Sequence, residues 1–71
     1  MKSIKDFIKC LVDCNLISSY LGEDLNEIIT DYKEQDVLFD EKLITFLANG
    51  EEYCCFYYRP YNNTVHGFRG L

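Results

Sequence analysis

Lys42-Leu43-Ile44-Thr45-Phe46-Leu47-Ala48-Asn49-Gly50-Glu51-Glu52-Tyr53-Cys54-Cys55-Phe56-Tyr57-Tyr58 is the stretch on which the fold turns. Asn-Gly between two runs of β-branched and aromatic residues is the strongest short-range signal for a β-hairpin, because both residues tolerate the positive φ of a two-residue type I′ turn. Such a turn predicts Phe46 opposite Tyr53, Ile44 opposite Cys55 and Leu43 opposite Phe56. The rival reading is a helix from Glu41 to Ala48, capped by Asp40 and ended by Asn49-Gly50. The hairpin is preferred. Residues 51–59 read as a strand under either reading. One face carries Tyr53, Cys55 and Tyr57, and the other Cys54, Phe56 and Tyr58. A sheet with one wet face should alternate polar and apolar, and this one does not. Either helices cover one face and a partner the other, or tyrosine rings cover the sheet while their hydroxyls reach water.

Beyond this strand, Arg59-Pro60-Tyr61-Asn62-Asn63 has the composition of a turn. Thr64 to Phe68 can return as an edge strand, with Gly67 suggesting a bulge. On the other side, Val37-Leu38-Phe39 is a short apolar run preceded by two helical patterns. In the first, Ile4, Phe7, Ile8, Leu11 and Val12 mark one face of an amphipathic helix over residues 3–14. Ser3 is its N-cap, Asp6 completes a capping box, and Asn15 closes it. In the second, Ile17, Leu21, Leu25, Ile28, Ile29 and Tyr32 keep helical spacing. Gly22 weakens its start, which moves the stable part to near Glu23. Glu23, Asp24 and Glu27 would then complement the helix dipole, whereas Asp31, Glu34 and Asp36 would lie toward its unfavourable C-terminal end. The predicted fold class is α+β: two N-terminal helices packed on a small antiparallel β-meander of three or four strands, in a single domain covering residues 1–71.

A chain of 71 residues buries only about 60% of the surface its unfolded form exposes, so its core is small. Six tyrosines and five phenylalanines supply the large apolar areas that a stand-alone fold needs. Twelve acids against seven bases give a net charge of −5. The charge is unevenly spread. Residues 1–12 and 53–71 are each mildly basic, and between them eleven acids face only Lys33 and Lys42. This acidic belt repels phosphates and attracts basic proteins. Lys5, Asp6, Lys9 and Asp13 interrupt the N-terminal apolar residues, so no signal segment or membrane span is expected, and a cytoplasmic location is (that of the host cell, if phage-encoded).

The four cysteines, Cys10, Cys14, Cys54 and Cys55, match no strong metal-ligand spacing and are read as reduced, buried and apolar-like. His66 is the only histidine, and no orienting group for a Cys–His pair is evident. No metal, no cofactor and no catalytic residue is expected. The predicted partner-binding residues are Glu23, Asp24, Glu27, Asp31, Glu34 and Asp36, together with Tyr57, Tyr58, Arg59 and Tyr61, since Tyr and Arg are enriched in interface hot spots. The expected partner is a protein with a basic surface, such as a nucleic-acid enzyme whose phosphate track the belt would imitate. Small acidic domains without catalytic residues are often inhibitors, immunity proteins or phage-encoded antagonists, an analogy from size and charge alone. The alternatives are a structural protein that self-associates, for instance as a homodimer, through its aromatic sheet, and a small nucleic-acid binder using Tyr/Arg stacking.

Overall fold

The computed structural model describes residues 2–70. Two helices, α1 (Ile4–Asp13) and α2 (Ser19–Ile28), precede four strands, β1 (Asp31–Leu38), β2 (Glu41–Ala48), β3 (Glu51–Arg59) and β4 (Thr64–Gly70). The strands form one antiparallel sheet in the order β1-β2-β3-β4, an α+β meander with the helices on one face. The most apolar strands, β2 and β3, take the centre, and the more polar β1 and β4 form the edges.

The start of α1 is fixed locally. The Ser3 hydroxyl accepts from the Asp6 amide and the Asp6 carboxylate accepts from the Ser3 amide, closing a capping box. Cys14 is the C-cap and Asn15 follows with φ 60°, the left-handed conformation that ends a helix. The buried face of α1 centres on Phe7. Its ring meets Tyr32, Phe46, Phe56 and Tyr58 edge-on, at centroid distances of 5.2, 6.4, 5.6 and 5.1 Å. Each such pair adds about 0.5–1.5 kcal/mol beyond area burial. One residue on the first helix therefore touches β1, β2 and β3 at once.

The second helix differs from its sequence reading at both ends. It begins at Ser19, N-capped by the Ser18 hydroxyl, which accepts from the Leu21 amide. Gly22 lies within it and is buried. A Cβ there would stand 2.9 Å from Val12 Cγ2, so glycine is what lets α1 and α2 approach. The helix ends at Ile28 rather than continuing past Tyr32. Pairing with β2 supplies the reason: the Thr30 amide donates to the Leu47 carbonyl, and the Thr30 hydroxyl accepts from the Asn49 amide. Asp31, Glu34 and Asp36 consequently lie on an edge strand and not at a helix C-terminus.

Residues 41–48 form a strand, which excludes the rival helix. Asn49 and Gly50 have φ 52° and 86°, as a type I′ turn requires. The turn sets the pairs beside it, Ala48↔Glu51 and Leu47↔Glu52, but the three predicted pairs, Phe46 with Tyr53, Ile44 with Cys55 and Leu43 with Phe56, are each displaced by one residue. Beyond Leu47↔Glu52 the pairs are Phe46↔Cys54, Ile44↔Phe56 and Leu43↔Tyr57. Tyr53 is the extra residue of a bulge. The slip sends Cys54, Phe56 and Tyr58 toward the helices, and Cys55 and Tyr57 away. A second bulge at Gly67, φ 66°, shifts the β3–β4 register.

Candidate functional site

Glu23, Asp24 and Glu27 lie on α2 with Tyr20 at spacings of three, four and seven residues, which puts all four on one helix face. That face points away from buried Leu25 and Gly22. All four are exposed, Tyr20 to 80%. Because the helix starts at Ser19, none of these acids falls in its first turn, and its last turn holds no base. The expectation that they complement the dipole is thus corrected. Among the described residues none of the three forms an ion pair. Glu23–Glu27 and Asp24–Glu27 are like-charge neighbours, each costing about 0.2–0.5 kcal/mol of helix stability. Glu27 also opposes the negative end of the helix dipole.

The acids of β1 have local employment instead. The Asp31 carboxylate accepts from the Tyr32 amide at 2.7 Å. Glu34 and Asp36 hold Lys42 of β2 at 3.0 and 3.6 Å. Charged side chains on an edge strand also deter pairing with other chains. The belt therefore divides into an unpaired stripe on α2 and a largely paired stretch on β1.

The aromatic and arginine residues of the C-terminal third do not form one surface. Tyr58 faces inward beneath Lys2, whose Nζ is 5.5 Å from the ring centroid, and its hydroxyl donates to Asn63. Tyr57 faces the other way and stacks on His66 at 5.3 Å. Arg59 Nε donates to Glu41 Oε2 at 3.2 Å, and His66 Nε2 lies 2.9 Å from the same oxygen. The Glu41 side chain is only 13% exposed. Its hydrogen bond with His66, followed by the His66 and Arg59 charges, holds its carboxyl below the usual range against the opposing effect of burial.

Arg59 and Tyr61 do meet, in the company of residues that sequence reading passed over. The β1–β2 and β3–β4 turns lie side by side at one end of the sheet. Leu38, Phe39, Asp40, Glu41, Arg59 and Tyr61 line an open cleft of about 300 Å³ between them. Phe39 is 98% exposed, and Leu38 and Tyr61 each 69%. The detectable signal was the apolar run Val37-Leu38-Phe39 hemmed in by Asp36 and Asp40. Tyr20 was missed as well, although its spacing to Glu23, Asp24 and Glu27 was readable.

The cysteines divide. Cys10, Cys54 and Cys55 are buried, whereas Cys14, the C-cap of α1, is exposed, which corrects the expectation that all four are buried. Cys55 is 4% exposed although it lies on the sheet face without helices. Among the described residues no three His, Cys, Asp or Glu side chains converge as metal ligands would. No described helix is long and apolar enough to cross a membrane. Comparison of the chain with protein-family models, with curated proteins and with solved structures finds no match in any of the three.

Proposed function

We propose that this chain is a non-catalytic binding protein that docks its acidic side on a basic surface of another protein and acts by occluding it, as an inhibitor or antagonist does. The observation that supports this reading is the α2 stripe of Tyr20, Glu23, Asp24 and Glu27. Solubility calls for charge, but charges of mixed sign serve it without weakening a helix. Here three like charges weaken α2, and among the described residues none of them is held in an ion pair, although Lys5 and Lys9 of α1 line the same groove as Glu23. An exposed tyrosine beside them adds the residue type that carries interface energy. Acids arranged in this way steer a basic partner and raise its association rate by about 10–10³-fold at low salt. Where the partner's basic surface serves nucleic acid, the stripe stands in for phosphates.

The test is triple charge reversal, Glu23→Lys, Asp24→Lys and Glu27→Lys. Partners are captured from host extract by the unmodified chain, and association is timed at low and at physiological salt. The variant should associate at least about tenfold more slowly at low salt, with the gap narrowing as salt rises. The three introduced lysines repel one another as the acids did, but Glu27→Lys complements the negative end of the helix dipole and Asp24→Lys raises helix propensity, so α2 should be about as stable as before. An unchanged association rate in the folded variant overturns the reading.

A further inference from the structure

The cleft between the two hairpin tips has walls that the fold does not need. A two-residue turn is best built from Asn-Gly, as at Asn49-Gly50, with both φ angles positive. Phe39-Asp40 has neither that composition nor a positive φ, and a bulge at Val37 takes up the mismatch with the strands. Phe39, 98% exposed, stabilises nothing within the chain. The opposite wall is held in place. Asn63 turns the chain with φ 56° and accepts from the Tyr58 hydroxyl, and Asn62 accepts from the Thr64 hydroxyl at 2.6 Å, so Tyr61 stands on a tied loop.

The floor and rim set the chemistry of an occupant. Glu41 Oε2 takes both Arg59 and His66, while Oε1 has no partner among the described residues. Asp40, at the rim, forms no ion pair among them. Arg59 is offset by Glu41, so the lining is net negative. A purely apolar side chain would desolvate Asp40 and Glu41 without replacing their hydrogen bonds. A carboxylate would meet two carboxylates and an arginine already engaged. A guanidinium satisfies both parts: its plane stacks on aromatic walls and its N–H fork reaches carboxylate oxygens. We infer that the cleft between Phe39 and Tyr61 is a socket for an arginine side chain presented by the basic partner. This rests on the docking proposed above and adds a second contact, separate from α2.

The socket is tested on the whole ¹⁵N-labelled chain by amide-shift titration with Nα-acetyl-arginine N-methylamide, alongside the neutral citrulline and the acidic glutamate derivatives. The arginine probe should give saturable shifts centred on Phe39, Asp40, Glu41 and Tyr61, with a dissociation constant on the order of 1–10 mM. Citrulline should bind at least about tenfold more weakly. The variants Phe39→Ser and Asp40→Asn, at exposed positions that leave the fold intact, should each weaken the arginine response. Equal binding of citrulline, preferential binding of the glutamate probe, or no shift at the tips overturns the socket. Shifts confined to the α2 stripe remove the socket while leaving the α2 docking face in place.

Discussion

Two phenylalanines show how differently one residue type is used in this molecule. Phe7 is 3% exposed and meets four other aromatic rings. Replacing it by alanine removes those contacts and leaves a cavity that rigid strands cannot close, so Phe7→Ala should cost about 3–5 kcal/mol. For a domain whose total stability is of the order of 5–15 kcal/mol, that brings the chain near to unfolding. Phe39→Ser should shift stability by no more than about 0.5 kcal/mol, since the residue touches solvent on nearly every side. Urea unfolding of both variants, followed by circular dichroism, checks the pair. A large loss in Phe39→Ser would mean that the tip is part of the fold after all. Phe7 was legible in the sequence because helical spacing with Ile4, Ile8 and Leu11 names the buried face. Phe39 was not, because an apolar triplet between acids reads equally well as a short buried strand.

Among the elements, legibility followed local chemistry. The first helix could be read nearly to the residue because its capping box and closing asparagine act within a few positions of one another. The hairpin could be read because Asn-Gly sets its own backbone. What failed depends on distant contacts. In β1 only Tyr32 packs on the core, so eight residues carry almost no alternation, and apolar spacing alone extended α2 into them. The bulge at Tyr53 puts Cys54, and not Cys55, into the core cluster on the helix side of the sheet, and nothing adjacent to Tyr53 encodes it. The acids were recognised as a belt, but their partners were not. Lys42 lies six and eight residues from Asp36 and Glu34, and only strand pairing brings them together. Gly22 gives the sharpest test at this scale. Alanine is worth about 1 kcal/mol more than glycine inside a helix. Yet its Cβ would press on Val12 Cγ2 at 2.9 Å, and valine on a helix has little rotamer freedom to yield. Overpacking of this kind costs about 1–3 kcal/mol. Gly22→Ala should therefore destabilise by about 1 kcal/mol in the native chain and stabilise by up to about 1 kcal/mol when Val12 is already alanine. A double-mutant cycle in urea measures both, and the absence of a sign change would remove the close-approach account.

At the scale of the whole molecule, ionisable groups on the helices and on the sheet set the pH range over which the fold holds. On the acid side, Asp6 in the capping box and Glu41 in the β2–β3–β4 cluster have carboxyl pKa values lowered in the folded state. Their contribution is present above the unfolded carboxylate values near pH 4 and fades as pH falls through the lower folded ones. On the alkaline side, Lys9 and Lys42 have raised values, so their contribution is lost as pH climbs through them, but both sit in solvent and act weakly. Cys54 has more effect. It is 1% exposed, and burial pushes its thiol from 9.0 up to about 11. In the unfolded chain the thiol ionises first, so its contribution is complete below pH 9 and is lost as pH rises from there toward about 11. Cys54→Val keeps an apolar group of similar size and removes the titration. Its urea midpoint should fall less steeply than that of the unmodified chain across the same alkaline range, with the acid side unchanged. Glu41→Gln should do the reverse, being less stable at neutral pH with a shallower acid decline and an unaltered alkaline one. Tyrosine and lysine ionisation is common to all three chains and cancels in the differences. If Cys54→Val loses stability above pH 9 as fast as the unmodified chain, the buried thiol is not what limits the fold in alkali, and ionisation common to all three chains accounts for the loss.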